Sequence, residues 1–189
     1  PGGRLGVMIG DVSSHGFGAA LIMALTMSAV AIHASEGDSP AEVLRRTHRT
    51  LIDELETTEM YLTLFYGVID PGLGQLTYAN AGHAQAFHVL AGGGSARLHA
   101  TNPPLGIVDL DVYGEETTPW NSSGDLLLLF TDALSDALDL GEIRGQQRVL
   151  EEVLRHLDLP VTEILQHLYE LPTAGNVPVD DRTAALVRF

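Results

Sequence analysis

Apolar and polar positions change period several times along the chain, and each change marks an element. Residues 5–9, Leu-Gly-Val-Met-Ile, are a short apolar run that predicts a strand. A turn of small and polar residues follows, Gly10-Asp11-Val12-Ser13-Ser14-His15-Gly16, and residues 17–34 are then apolar around the whole helical circumference. In a layered fold such a helix is covered on both sides, so a buried helix is predicted here. Glu36-Gly37-Asp38 breaks the pattern. Ser39-Pro40-Ala41-Glu42 then reads as a capping box with proline at the first helical position. It opens a predicted helix over 40–56, with Val43, Leu44, Leu51, Ile52 and Leu55 on its part-buried face.

From residue 60 the pattern turns to strands. Residues 61–69 are β-rich and apolar on both faces, which suits a sheet covered on both sides. Asp70-Pro71-Gly72-Leu73-Gly74 is a turn, and 75–79 is the hairpin partner. Further strands are predicted over 85–90, near Arg97, near Val112-Tyr113 and over 126–130, the last leading into Thr131-Asp132. Helices over 146–157 and 162–171, a loop over 172–179 and a closing strand over 182–189 complete the chain. Hairpins with helices in two separate groups describe an α+β layered fold.

Composition narrows the function. At 189 residues and 45% apolar, the chain suits one folded domain with a real core. A net charge of −15 opposes binding to nucleic acid or to an anionic membrane surface. Every basic residue is Arg, which removes a P-loop lysine and a lysine Schiff base. The absence of Cys removes disulfides, a thiolate nucleophile and thiolate zinc sites, and fits a reducing compartment. Residues 16–34 reach the ~18 uncharged residues that flag a membrane span. They are rich in small residues, however, carry Thr26, Ser28 and His33, and follow a polar turn directly. No membrane segment is expected from them, and with no basic-then-apolar leader at the amino terminus the chain is expected to be cytoplasmic.

Three carboxylates sit where strands end: Asp11, Asp132 in Leu-Phe-Thr-Asp-Ala, and Asp180 in Val-Asp-Asp-Arg-Thr. Oxygen-rich sets of this kind hold Mg²⁺ or Mn²⁺, whereas histidine-rich sets favour zinc, copper or iron. Asp11 is placed to bridge two ions with the Val12 carbonyl beside it, and Asp132 and Asp180 could complete one shell. Two metals about 3.5–4 Å apart orient a water, lower its pKa and neutralise phosphoryl oxygens. The plainer reading is that each Asp caps a turn or a helix. His15 is a candidate general acid or a turn residue, and His83 in Asn-Ala-Gly-His suits a structural role at a hairpin end. Ser13 and Ser14 do not satisfy Gly-x-Ser-x-Gly, and Gly92 to Gly94 is a loop tip without a strand-to-helix transition.

Gly-Asp-Val-Ser-Ser-His-Gly (10–16) with Ala19-Ala20-Leu21 is followed by Phe65-Tyr66-Gly67 and Tyr78-Ala79-Asn80-Ala81-Gly82-His83. Pro104-Leu105-Gly106, Phe130-Thr131-Asp132 and Asp180-Asp181-Arg182-Thr183 come after them. In order and spacing these motifs resemble the PPM-type metal-dependent serine/threonine phosphatases, in their bacterial SpoIIE-like branch, over nearly the whole chain. The resemblance implies a four-layer α/β/β/α sandwich of two antiparallel sheets flanked by helices. It implies two Mn²⁺ or Mg²⁺ ions, with Asp11 bridging, the Val12 carbonyl on the second ion, and Asp132 and Asp180 on the first. A metal-bridging water would attack phosphorus directly, with no covalent enzyme intermediate. Implied substrates are phosphoserine or phosphothreonine on a small regulatory protein, such as an anti-sigma factor antagonist. A sensory domain often precedes the catalytic one on the same polypeptide, and the first two helices form a regulatory and homodimer surface.

Three positions depart from the branch. Its usual Gly-Gly-Asp motif, one strand before Asp11, is missing, so residues 1–189 are expected to be a single phosphatase domain lacking its N-terminal strands. Ala133 stands where Gly is usual, which is costly only if that backbone needs φ > 0. Ser14 also replaces a usual Gly. The missing upstream motif and Ala133 favour an alternative, a phosphatase-like module that binds a regulatory partner without hydrolysing it, while the retained Asp11, Asp132 and Asp180 oppose it. A third reading is an unrelated metal-dependent hydrolase of a small phosphoester.

Overall fold

A computed structural model describes residues 3–173 and 181–189. The chain divides into two compact units, Pro1–His83 with His99–Trp120, and Ala84–Leu98 with Asn121–Phe189.

The first unit is built on an antiparallel sheet of β1 (Leu5–Val12), β2 (Leu62–Asp70), β3 (Gln75–Ala81) and β6 (Glu116–Pro119), in the order β1-β2-β3-β6. Side chains alternate across a strand, so Leu62, Leu64 and Tyr66 point to the helical side. There they join Val43, Leu44, Leu51 and Leu55 of α2 (Pro40–Thr58) in one core. Phe65 and Ile69 fill the opposite face and are also fully buried, as the two-sided apolar pattern predicts. Burying each such side chain contributes about 1.5–3 kcal/mol. The predicted cap of α2 is present: Ser39 accepts from the Glu42 N–H, with Pro40 at the first position. The Glu42 carboxylate does not close the box. It pairs with Arg45 and Arg46, which hold its pKa at about 2.

Two expectations for this unit are corrected. The helix α1 (Phe17–Ser35) packs on α2 and β1, but it is not covered on both sides. It buries Ala19, Ile22, Thr26, Ala29 and Val30, which recur at helical spacing on one face. Phe17, Leu21, Leu25, Met27 and Ile32 are exposed, Phe17 at 87%. Uniform apolarity hid this face from a periodicity argument. The strand expected near Tyr113 is also absent; the ladder partner of β3 is Glu116–Pro119. Val112 is exposed and Tyr113 buried, so the pair alternates like a strand, but the Tyr113 hydroxyl meets the His48 imidazole of α2 at 2.8 Å.

The second unit carries an antiparallel sheet in the order β5-β4-β7-β8, from β4 (Ala86–Val89), β5 (Ser95–Arg97), β7 (Leu126–Phe130) and β8 (Ala184–Val187). All five residues of β7 are fully buried. Leu126, Leu128 and Phe130 pack with Val149 and Val153 of α4 (Glu142–Arg155) and with Ile164 and Leu168 of α5 (Val161–Tyr169). A short helix, α3 (Asp132–Asp136), follows β7 directly and was not foreseen. Gly145 lets α4 approach it: a Cβ there would lie 2.7 Å from the Ser135 carbonyl oxygen. Each unit thus pairs an antiparallel sheet with helices, and the α+β class stands.

Candidate metal centre

In the first unit β1 is longer than its apolar run, and Asp11 lies inside it rather than in the turn beyond. Asp11 is paired with Thr63 and Val12 with Leu62. The Asp11 side chain is exposed while Val12 is buried in the core at 7%, so strand alternation turns one outward and anchors the other. Past Val12 the ladder continues through Ser13, whose N–H donates to the Tyr61 carbonyl and whose Oγ accepts from the Tyr61 N–H. The Val12 carbonyl accepts from the Ser14 N–H at 2.7 Å, which leaves its second lone pair for another partner. Ser14 does not have positive φ, so the serine at this position is unstrained.

Behind Asp11 lies the Asn80–His83 turn. The Asn80 amide accepts from the His83 N–H and donates to the His83 carbonyl, both at 2.8 Å. Gly82 is required there: its φ is +76°, and a Cβ would sit 2.6 Å from Pro104 Cγ. The His83 ring is buried, with Nδ1 3.4 Å from the Thr63 hydroxyl, which lies 3.4 Å from the Asp11 carbonyl oxygen. His83 therefore holds the end of a hairpin. His15 is exposed in the turn before α1.

In the second unit Asp132 is the first residue of α3, with Thr131 as N-cap. Its Oδ1 accepts from the Ala133 N–H at 2.8 Å, and among the described residues it makes no ion pair. Ala133 has helical backbone and no positive φ, so its substitution for glycine carries no strain. Asp180 lies outside the described residues. The residues that follow it are described: Thr131 Oγ1 donates to the Asp181 carbonyl at 3.3 Å and accepts from the Thr183 N–H at 3.0 Å. The Thr131 N–H adds a bond to the Thr183 carbonyl. Burial, then the nearby Asp132 and Glu142 charges, push the Asp136 carboxyl above its usual range, so the start of α3 carries a negative field.

These donors are hard oxygens, on exposed carboxylates and one half-used carbonyl, and they suit Mg²⁺ or Mn²⁺. Two further donor clusters lie among the described residues and were not foreseen, and guanidinium groups already pair with the carboxylates of both. Arg46 pairs with Glu36 and Asp38 beside His33. Arg148 and Arg155 pair with Glu152 beside His156 and His167.

A family model described as Stage II sporulation protein E (SpoIIE) matches residues 1–189. The chain belongs to the SpoIIE family. This SpoIIE-family chain is 32% identical to the phosphoserine phosphatase RsbP of Bacillus subtilis (strain 168), over 70% of its own length and 34% of RsbP. It matches the solved RsbU and RsbW domains of Rv1364c from Mycobacterium tuberculosis with a TM-score of 0.83 and 24% identity, covering 98% of this chain and 51% of that one. RsbX, solved in complex with magnesium, matches with a TM-score of 0.70 and 19% identity, covering 97% of this chain and 80% of that one. These structures establish the fold. The chain spans between a third and a half of the length of the curated relatives it matches.

Proposed function

We propose that residues 1–189 are a PPM-type phosphatase domain that hydrolyses phosphoserine or phosphothreonine on a regulatory protein, such as an anti-sigma factor antagonist. Asp11, the Val12 carbonyl, Asp132 and Asp180 would hold two Mn²⁺ or Mg²⁺ ions. When bound, such a pair supplies an activated water and charge neutralisation at the phosphoryl oxygens. Phosphate monoesters are among the slowest biological bonds to hydrolyse, and charge stabilisation is the means of supplying rates of that size. In this chain β1 carries Asp11 and Val12 as consecutive residues, and Asp132 opens α3 after its N-cap residue Thr131. Water attacks phosphorus directly, the bond from phosphorus to the serine oxygen breaks, and the leaving oxygen takes up a proton.

The observation that supports this reading most is the Thr131 clamp. It lays the main chain of Asp181 and Thr183, two residues of the motif that begins at Asp180, against the residue preceding Asp132. Two family motifs some fifty residues apart are thereby tied by one side chain. The reading of a module that no longer hydrolyses its partner loses one support, because Ala133 is unstrained. Turnover of an aryl phosphate and of a phosphoserine peptide, with and without Mn²⁺, tests the proposal. Asp11→Ala is expected to lower Mn²⁺-dependent turnover by ~10³-fold or more while the fold persists. Retained activity in that variant would remove Asp11 from the centre.

The whole protein is proposed to be cytoplasmic and to carry a sensory domain before this one. The chain is proposed to form a homodimer through the exposed apolar face of α1, where Phe17, Leu21 and Leu25 lie. Large apolar side chains exposed together on one helix face mark an interaction surface. Sedimentation should show a dimer that Leu21→Glu with Leu25→Glu dissociates; a monomer at all concentrations would end that part of the proposal.

A further inference from the structure

We infer that His48 is a positioning residue for the metal end of β1, acting from α2 through Gly106, Leu105 and Leu62 on the main chain of Val12. His48 interrupts the apolar face of α2 and is 1% exposed, so its two ring nitrogens need partners inside the protein. Both have them. The Gly106 N–H donates to Nε2 at 3.2 Å, which fixes the lone pair there and the proton on Nδ1. Nδ1 then donates to the Tyr113 oxygen at 2.8 Å.

The approach of Gly106 depends on the absence of a side chain. Its φ is +91°, and a Cβ would lie 3.0 Å from the Met60 carbonyl and 3.2 Å from Leu55 Cβ. One residue earlier, Leu105 exchanges two main-chain hydrogen bonds with Leu62, each 2.9 Å. Leu62 opens β2 opposite Val12 in the register, and Tyr61 before it accepts from the N–H of Ser13, the residue after Val12. A single acceptor atom on α2 therefore braces the first residue of the strand against which the proposed carbonyl ligand is laid. All of these residues belong to the first compact unit. An apolar residue at position 48 would fill the space but leave the Gly106 N–H without its acceptor, a loss local to this path. The inference rests on the reading of Asp11 and Val12 as metal ligands.

The test is a Mn²⁺ titration of the full chain, following unbound Mn²⁺ by electron paramagnetic resonance, together with turnover and amide hydrogen exchange. In His48→Leu the Gly106 amide should exchange faster, and the Kd for Mn²⁺ should rise ~10-fold, the usual size for a lost outer-shell partner. The Mn²⁺ concentration for half-maximal turnover should rise equally, with turnover at saturating Mn²⁺ close to that of wild type. His48→Gln, whose Oε1 can accept from Gly106, should recover most of the affinity. A merely structural role would lower saturating turnover with the folded fraction and leave the Kd of the folded protein alone. Faster Gly106 exchange with an unchanged Kd would overturn the inference. Should His48→Leu not fold, Tyr113→Phe loosens the same imidazole, and the same two readouts decide the matter. If Asp11→Ala binds Mn²⁺ as wild type does, the ligand reading itself fails, an outcome distinct from an unchanged Kd in the His48 variants alone.

Discussion

Asp11 and Asp132 are the same residue type in family motifs, yet the two units hold them by different means. Asp11 sits in the penultimate position of a strand whose eight residues are all paired with β2, and its place is set by main-chain register. Thr63 Oγ1 lies 3.4 Å from the Asp11 carbonyl oxygen and 3.4 Å from His83 Nδ1, both at the long end of hydrogen bonding. Asp132 lies two residues beyond the end of β7, with Thr131 between, and the step from strand to helix is fixed by a side chain. Thr131 supplies the cap position and bonds in both directions to 181–183. A ladder spreads its support over many main-chain bonds, so losing a long side-chain contact such as that of Thr63 is tolerated. A single side-chain clamp concentrates it.

The difference can be broken with two isosteric changes. Thr131→Val keeps the volume and removes the hydroxyl, leaving the Thr183 N–H and the Asp181 carbonyl without this partner. It should cost about 1–3 kcal/mol in denaturant unfolding and weaken Mn²⁺ binding ~10-fold or more, as loss of an outer-shell partner does. Thr63→Val removes only the long contacts behind Asp11, and β-branching keeps it suited to a strand. Its cost should be below ~1 kcal/mol, with Mn²⁺ affinity changed less than ~3-fold. Equal effects from the two variants would show that the clamp and the ladder are not distinct kinds of support.

The sequence also exposed the two kinds of support unequally. Strands were readable where apolar runs were bounded by turns: 126–130 is found as predicted, and the hairpin of β2 and β3 follows the Asp70–Gly74 turn. The capping box of α2 was readable because Ser39 and Pro40 are local signals. Asp11 inside β1 was missed because Ser13 and Ser14 look like a turn, while the Ser13 side chain in fact prolongs the ladder. The α3 helix is five residues long, too short for a period to show. The Thr131 clamp and the contact of His48 with Gly106 join residues about fifty apart in sequence, and no local pattern encodes such a pair. The motif residues were thus legible as a resemblance, whereas the side chains that hold them were not.

The smallest expected effect concerns pH, and it separates the units without touching a proposed ligand. Burial depresses the pKa of His48 below its ordinary 6.5, although the Asp109 and Glu56 charges oppose the shift. The folded protein therefore binds this proton less readily than the unfolded chain. By linkage, the stability contributed by neutral His48 is fully present above about pH 6.5 and is lost as pH falls below that value towards the depressed folded pKa. In the second unit Asp125 and Glu152 have carboxyl pKa values lowered by their hydrogen bonds, against the effect of burial. Their contributions are lost only further down, below the ordinary carboxylate values of 3.8 and 4.5. Hydrogen exchange at pH 7.5 and 5.5 should then show the α2 and Gly106 amides losing protection over this interval, while β7 amides hold theirs. His48→Gln has no proton to bind and should abolish the difference in the first unit. Parallel loss in both units, or loss that persists in His48→Gln, would place the titrating group elsewhere.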